Sequence, residues 1–289
     1  MLCHFSTDDD AMARLGWMDT GGVYDLAAWA DGELRTLGDV LALPSAEVTR
    51  RLGIVPFETL PRHPHVNVTL HAPLDTQEVW ACGVTYLRSR DARMEESTEE
   101  SVYDRVYGAA RPEIFFKGMA SRVAHPGKPV AIRADSDWNV PEPELALVVN
   151  AAGEIVGYTV GNDMSSRSIE GENPLYLPQA KVYRDACSLG PAVALTTELP
   201  EATDLPIRIE ITRNDTVAFS GETRTSQIAR PFTELVEYLF RAQSFPRGVI
   251  VLTGTGIVPP SDFTLQAGDH VAITIGGIGT LANPVYVTE

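Results

Sequence analysis

The stretch PEPELALVVN sets two carboxylates at the head of an otherwise apolar segment. Side chains alternate faces along a β-strand, so Glu142, Glu144, Ala146 and Val148 share one face while Leu145, Leu147 and Val149 pack on the other. Carboxylates two residues apart on a strand are roughly 7 Å apart at Cα and point the same way, close enough to share a cation. Burying such a pair is costly unless something neutralises it. The next stretch, EIVGYTVGND, follows Ala152-Gly153. A tight hairpin at those two residues puts Asp163 opposite Glu142, whereas a loop one residue longer shifts the pairing by one. In the first register three carboxylates, Glu142, Glu144 and Asp163, converge. An all-carboxylate set suits a hard cation, Mg²⁺ or Mn²⁺, rather than zinc. On spacing alone, a solvated pair on an edge strand accounts for Glu142 and Glu144 equally well.

Other residues say less by themselves. Arg88, Arg90 and Arg93 fall at helical spacing among Asp91, Glu95 and Glu96, which makes an ordinary solvated face unless one arginine turns into a cleft to meet an anion. Thr255 lies between Gly254 and Gly256, a pattern of tight turns and of close ligand approach. Lys117 suits a core carboxylate and a substrate equally. The pair His63 and His65 is split by Pro64 and lacks partner ligands, so it is not read as a metal site. GGIGTLA lacks the third glycine of a dinucleotide loop, and the chain has no Walker A pattern or G-x-S-x-G elbow.

The elements that must position these residues differ between the two parts of the chain. Residues 1–74 hold short apolar runs broken by Gly and Asp, which predict a few short strands and a helix in a small N-terminal domain. Residues 75–289 alternate strands with turns, as in QEVWACGVTY, PVAIRA, EIVGYTVG, RIEITRN and HVAITI. Helices are predicted at RSRDARMEEST running into VYDRVYGAA, and at FTELVEYLFRAQ. The fold class is α+β and β-rich, with the larger part catalytic.

Composition bounds the partners. The 289 residues carry a net charge of -16, with Lys+Arg 23 against Asp+Glu 39. That field repels phosphate backbones and anionic lipid, so neither nucleic acid nor membrane is an expected partner. It also repels an anionic substrate, unless a cation or local arginines reverse the potential inside a cleft. No apolar run approaches the roughly 18–20 residues of a membrane span. The start, MLCHFSTDDDAMARLG, has no basic n-region, and a cytoplasmic location is expected. Cys3, Cys82 and Cys187 lack motif spacing and read as buried reduced thiols.

Taken in order, WACGVTYLRSR, PEIFFKG, PEPELALVV, GYTVGNDMSSRS, LPQAKVY, LTGTG and LQAGDHVAITIGGIGTLANPV resemble the fumarylacetoacetate hydrolase superfamily over roughly residues 75–289. The resemblance implies a rolled mixed β-sandwich with a small N-terminal domain, assembled as a homodimer or homotetramer. It also implies Mg²⁺ on Glu142, Glu144 and Asp163, a catalytic lysine at Lys181, and a site threonine at Thr255. Relatives that cleave carbon–carbon bonds carry a histidine in a G-x-N-Y-x-x-H segment. Aligned on Gly83 and Tyr86, Ser89 stands there instead, and a serine is no base near neutral pH without a partner.

The finer wording, GVTYLRSRDARMEES, VYDRVYGAARPEIFFKG and GNDMSSRSIEGENPLYLPQAKVY, resembles the 2-keto-3-deoxy-pentonate dehydratases. That subgroup implies a further catalytic carboxylate at Glu113. The implied substrate is a small 2-keto acid, with Arg88, Ser89, Arg90, Lys117 and Thr255 holding its carboxylate and hydroxyls. A hydrolase of acylpyruvates or diketo acids is the alternative. Ser168, where many relatives have Asp, reads as a local change.

Overall fold

The computed structural model describes residues 1–29, 34–88, 105–200 and 202–289. Two sheets carry the architecture. In the twelve-stranded sheet, Leu2–Thr7 pairs with Cys187–Leu195, and then come Ile155–Asp163, Pro143–Val149, Val249–Leu252, Glu78–Gly83 and Glu113–Met119. Val249–Leu252 and Glu78–Gly83 run parallel; the other neighbours in this series are antiparallel. A five-stranded sheet orders Thr216–Arg224, Pro206–Arg213, His270–Ile275, Gly279–Thr288 and Val130–Arg133.

The period-two pattern of PELALVV decides which layer meets which. Leu145, Leu147 and Val149 share an apolar cluster with Ile207, Ile209, Ile211, Ile273 and Leu281 of the smaller sheet. Ala146 and Val148 face the other way, with Val79, Ala81 and Ile250 and the N-terminal residues Leu37, Leu41, Val48 and Leu52. The result is the expected rolled, mixed β-sandwich. Helix Phe232–Phe240 covers the first cluster with Leu235, Val236 and Leu239, as its spacing predicts.

The N-terminal part differs in detail from its prediction. It contains two helices, Leu37–Leu41 and Ser45–Leu52, the first held by a capping box between Thr36 and Asp39. Its strands Leu2–Thr7, Asp10–Asp19 and Gly22–Asp25 extend the large sheet, so ladder hydrogen bonds cross the boundary drawn at residue 74. All three cysteines are buried and free. Among the described residues no helix is long and apolar enough to cross a membrane. The helix predicted from RSRDARMEEST falls mostly outside the described residues.

The hairpin that matters most reaches the predicted pairing by an unexpected route. Its loop is not a tight Ala152-Gly153 turn, because Asn150 N–H bonds to Glu154 O and Gly153, at φ +78°, closes back on Asn150 O. That longer loop pairs Val149 with Ile155, which alone would slip the register by one. A bulge then absorbs one residue, so Val148 faces Gly157 and Pro143 faces Asn162. Asp163 N–H donates to Glu142 O at 3.0 Å, and the two carboxylates stand side by side.

A candidate active site at one end of the large sheet

Five neighbouring strands deliver side chains to the same end of the sheet. Asp163 closes Ile155–Asp163, Glu142 and Glu144 stand at the head of Pro143–Val149, and Thr255 follows Val249–Leu252. Gly83 closes Glu78–Gly83, and Glu113 opens Glu113–Met119. Two short helices complete the ring. Arg167–Glu172 is N-capped by Ser166 and carries Glu170, while Leu177–Lys181 starts with Pro178 near its N-terminus and ends on Lys181. One cavity is lined by Gly83, Glu113, Glu142, Asp163, Lys181 and Thr255, among others.

Glu142, Glu144 and Asp163 are all buried, and their ligand oxygens lie within 4.8 Å of one another. Glu142 accepts from Lys181 Nζ at 2.9 Å and Ser165 Oγ at 3.0 Å, and its Oε1 lies 3.1 Å from Arg167 Nη2. Asp163 accepts from Lys181 Nζ at 2.9 Å and is ion-paired with Lys117. Ser165 Oγ also accepts from Lys181 Nζ, at 2.5 Å. Glu144 is served differently: its Oε2 accepts from Gly254 N–H at 2.5 Å, and no cation among the described residues pairs with it. Gly254 holds φ +91°, a backbone state that favours glycine and turns that N–H toward the carboxylate. Burial first, then the charges of Asp163 and Glu142, push the Glu144 carboxyl well above the usual glutamate range.

These residues fit a divalent cation. Three buried carboxylates offer oxygen ligands at a spacing a small hard ion can draw together, and a cation would offset the burial and like charges that raise Glu144. Mg²⁺ would be held by Glu142, Glu144 and Asp163.

The other predicted residues stand in varied surroundings. Lys117 is engaged by the protein itself. Its ammonium pairs with Asp163 and donates to Met164 O at 2.9 Å and Lys181 O at 2.5 Å, which uses its three donors and pins the backbone of Lys181. Arg88 is exposed and is not among the cavity's lining residues. Ser89 and Arg90 lie outside the described residues. Thr255 lines the cavity, with its hydroxyl 3.3 Å from Ile257 O. His65 bonds to Asp19 O at 2.8 Å, and Ser168 Oγ meets Ser136 Oγ at 3.0 Å, away from the carboxylates.

Sequence reasoning missed Ser165, Arg167, Glu170 and the Gly254 N–H. Ser165 had a signal, because strand alternation continued from Asp163 puts it on the same face. Arg167 and Glu170 had none beyond their place in the same motif. The one His/Cys/Asp/Glu group able to hold a metal among the described residues is Glu142, Glu144 and Asp163.

Comparison with known proteins gives the family. The family described as fumarylacetoacetate (FAA) hydrolase C-terminal matches residues 90–286. The chain is 48% identical over 272 residues to a probable 2-keto-3-deoxyxylonate dehydratase of Haloferax volcanii, covering 91% of each. It is 40% identical over 240 residues to the 2-dehydro-3-deoxy-D-arabinonate dehydratase of Saccharolobus solfataricus, covering 81% of this chain and 80% of that one. Among solved structures, 2-keto-3-deoxy-D-arabinonate dehydratase complexed with magnesium and 2,5-dioxopentanoate superposes with TM-score 0.84 at 31% identity, over 100% of this chain and 99% of the other. By sequence and fold, the chain belongs to the fumarylacetoacetate hydrolase family.

Proposed function

We propose that this protein is a Mg²⁺-dependent hydro-lyase that dehydrates a 2-keto-3-deoxy pentonate, such as 2-keto-3-deoxy-D-arabinonate, to 2-oxoglutarate semialdehyde in pentose catabolism. The observation that carries the reading is the convergence of Glu142, Asp163, Lys181 and Glu113 on one cavity, with Glu144 within ligand distance of the first two. The dehydratases most like this chain support the substrate class.

Mg²⁺, when bound, supplies a Lewis acid that polarises the 2-keto group and makes the C3 protons more acidic. Lys181, which donates to Glu142, Asp163 and Ser165 in the metal-free site, would lose its proton beside a bound cation and then take a C3 proton. Glu113, across the cavity on another strand, gives a proton to the C4 hydroxyl as the C4–O bond breaks and water leaves. The elimination leaves a C3=C4 double bond beside the C5 alcohol; loss of a C5 proton and return of a proton to C3 move it to C4=C5, and that enol tautomerises to the C5 aldehyde, with all five carbons retained. Thr255 and Ser89, with Arg88 or Arg90, would hold the substrate's carboxylate and distal hydroxyls. The strongly acidic chain needs those arginines, because its net charge of -16 repels the substrate.

We also propose a cytoplasmic homodimer or homotetramer, with residues 1–74 as a small accessory domain. Three buried free cysteines suit a reducing compartment. Purified protein with Mg²⁺ is to be offered a panel of 2-keto-3-deoxy acids and acylpyruvates, with products identified by mass. Turnover of a sugar acid and none of the acylpyruvates is expected. Cleavage of acylpyruvates with no sugar acid dehydrated refutes the assignment.

A further inference from the structure

We infer that Gly83 is the positioning residue for Glu113: its missing side chain leaves the space in which the Glu113 carboxylate is held at the cavity, an inference that rests on the acid role proposed above for Glu113. The two residues face each other across adjacent strands, and both line the cavity. A Cβ built on Gly83 would fall 2.6 Å from the Glu113 carboxyl carbon, 3.2 Å from Oε1 and closer still to Oε2. Those three atoms of one carboxyl group are its nearest neighbours. Real side chains do not tolerate such an approach, so the Glu113 side chain lies folded against the bare backbone of its partner strand.

Nothing else at this position asks for glycine. Gly83 is absent from the glycines with positive φ, so an alanine fits the backbone there. Glycine inside a strand ordinarily weakens it and marks a close approach. The approach here is made by the carboxylate that must meet the C4 hydroxyl. The following residue, Val84, lines the same cavity and holds φ +53°, a state rarely taken by a β-branched residue and one that clusters at functional sites.

Gly83→Ala should push the carboxylate aside by about an ångström, and misplacement of that size costs on the order of 10²-fold in rate. The loss should fall on kcat, with KM and the Mg²⁺ affinity unchanged, because the metal ligands stand on other strands. The limb of the pH–rate profile set by the acid should move as well. A double-mutant cycle isolates the cause. Added to Glu113→Gln, Gly83→Ala should cost nothing more; added to Glu113→Asp, whose shorter side chain withdraws from the new methyl, it should also cost nothing more. Wild-type kcat in Gly83→Ala, or an equal loss in every background, overturns the inference while leaving the acid role intact. Full activity in Glu113→Gln removes the acid role and this inference with it.

Discussion

Replacing Glu144 with glutamine should make the metal-free protein more stable and abolish its stabilisation by Mg²⁺. The carboxyl is buried beside Asp163 and Glu142, with Gly254 N–H as its donor. A glutamine oxygen can still accept that bond, so the variant removes the ionisable group and little else. The folded protein holds a proton on Glu144 well above 4.5, the ordinary glutamate value. Stability from this group is therefore complete below that value and is lost as pH rises toward the raised one. Each pH unit over which the folded protein keeps a proton that the unfolded chain has released costs about 1.4 kcal/mol. At pH 7.5 the metal-free variant should melt above metal-free wild type by at least about 3 °C, and at pH 4.5 the two should coincide. Mg²⁺ at a hundred times its Kd should stabilise wild type by about 2.7 kcal/mol, or roughly 5–10 °C, and the variant scarcely at all. Scanning fluorimetry with and without Mg²⁺ at both pH values reads all four states. A variant that keeps the Mg²⁺ shift, or that gains nothing at pH 7.5 without metal, refutes the place given to Glu144.

Other substitutions separate chemistry from support. Lys181→Met should lower kcat by about 10²–10⁴-fold while the Mg²⁺-dependent rise in Tm persists; more than about a tenth of wild-type activity excludes proton transfer by this amine. Lys117→Met leaves Asp163 without one of its cations and frees the Lys181 carbonyl. Breaking a buried pair in this way costs about 3–5 kcal/mol, so thermal melting should show a fall on the order of 10 °C. A loss of substrate affinity at unchanged Tm would instead return Lys117 to the substrate.

The carboxylate triad was legible because strand alternation needs no tertiary information: i and i+2 share a face wherever the strand lies. The register was legible only in its outcome, since the longer loop and the bulge at Val148 and Val149 shift by one residue each and cancel. No local pattern announces that cancellation. Lys117 was ambiguous for a related reason. Its partners, Asp163, Met164 O and Lys181 O, come from distant parts of the chain. The strand Leu2–Thr7 carried no clean alternation, because it is buried almost throughout between its partners. Glu113 and Lys181 were assigned only by resemblance; the fold adds that both reach one cavity.

The measurement closest to the central claim follows uniformly ¹³C-labelled 2-keto-3-deoxy-D-arabinonate by NMR and mass. Wild-type protein with Mg²⁺ should convert it to one five-carbon aldehyde, lighter by one water, with turnover abolished by a chelator and restored by Mg²⁺. Labelled pyruvate with a two-carbon fragment, or conversion at an unchanged rate after chelation, would contradict the account.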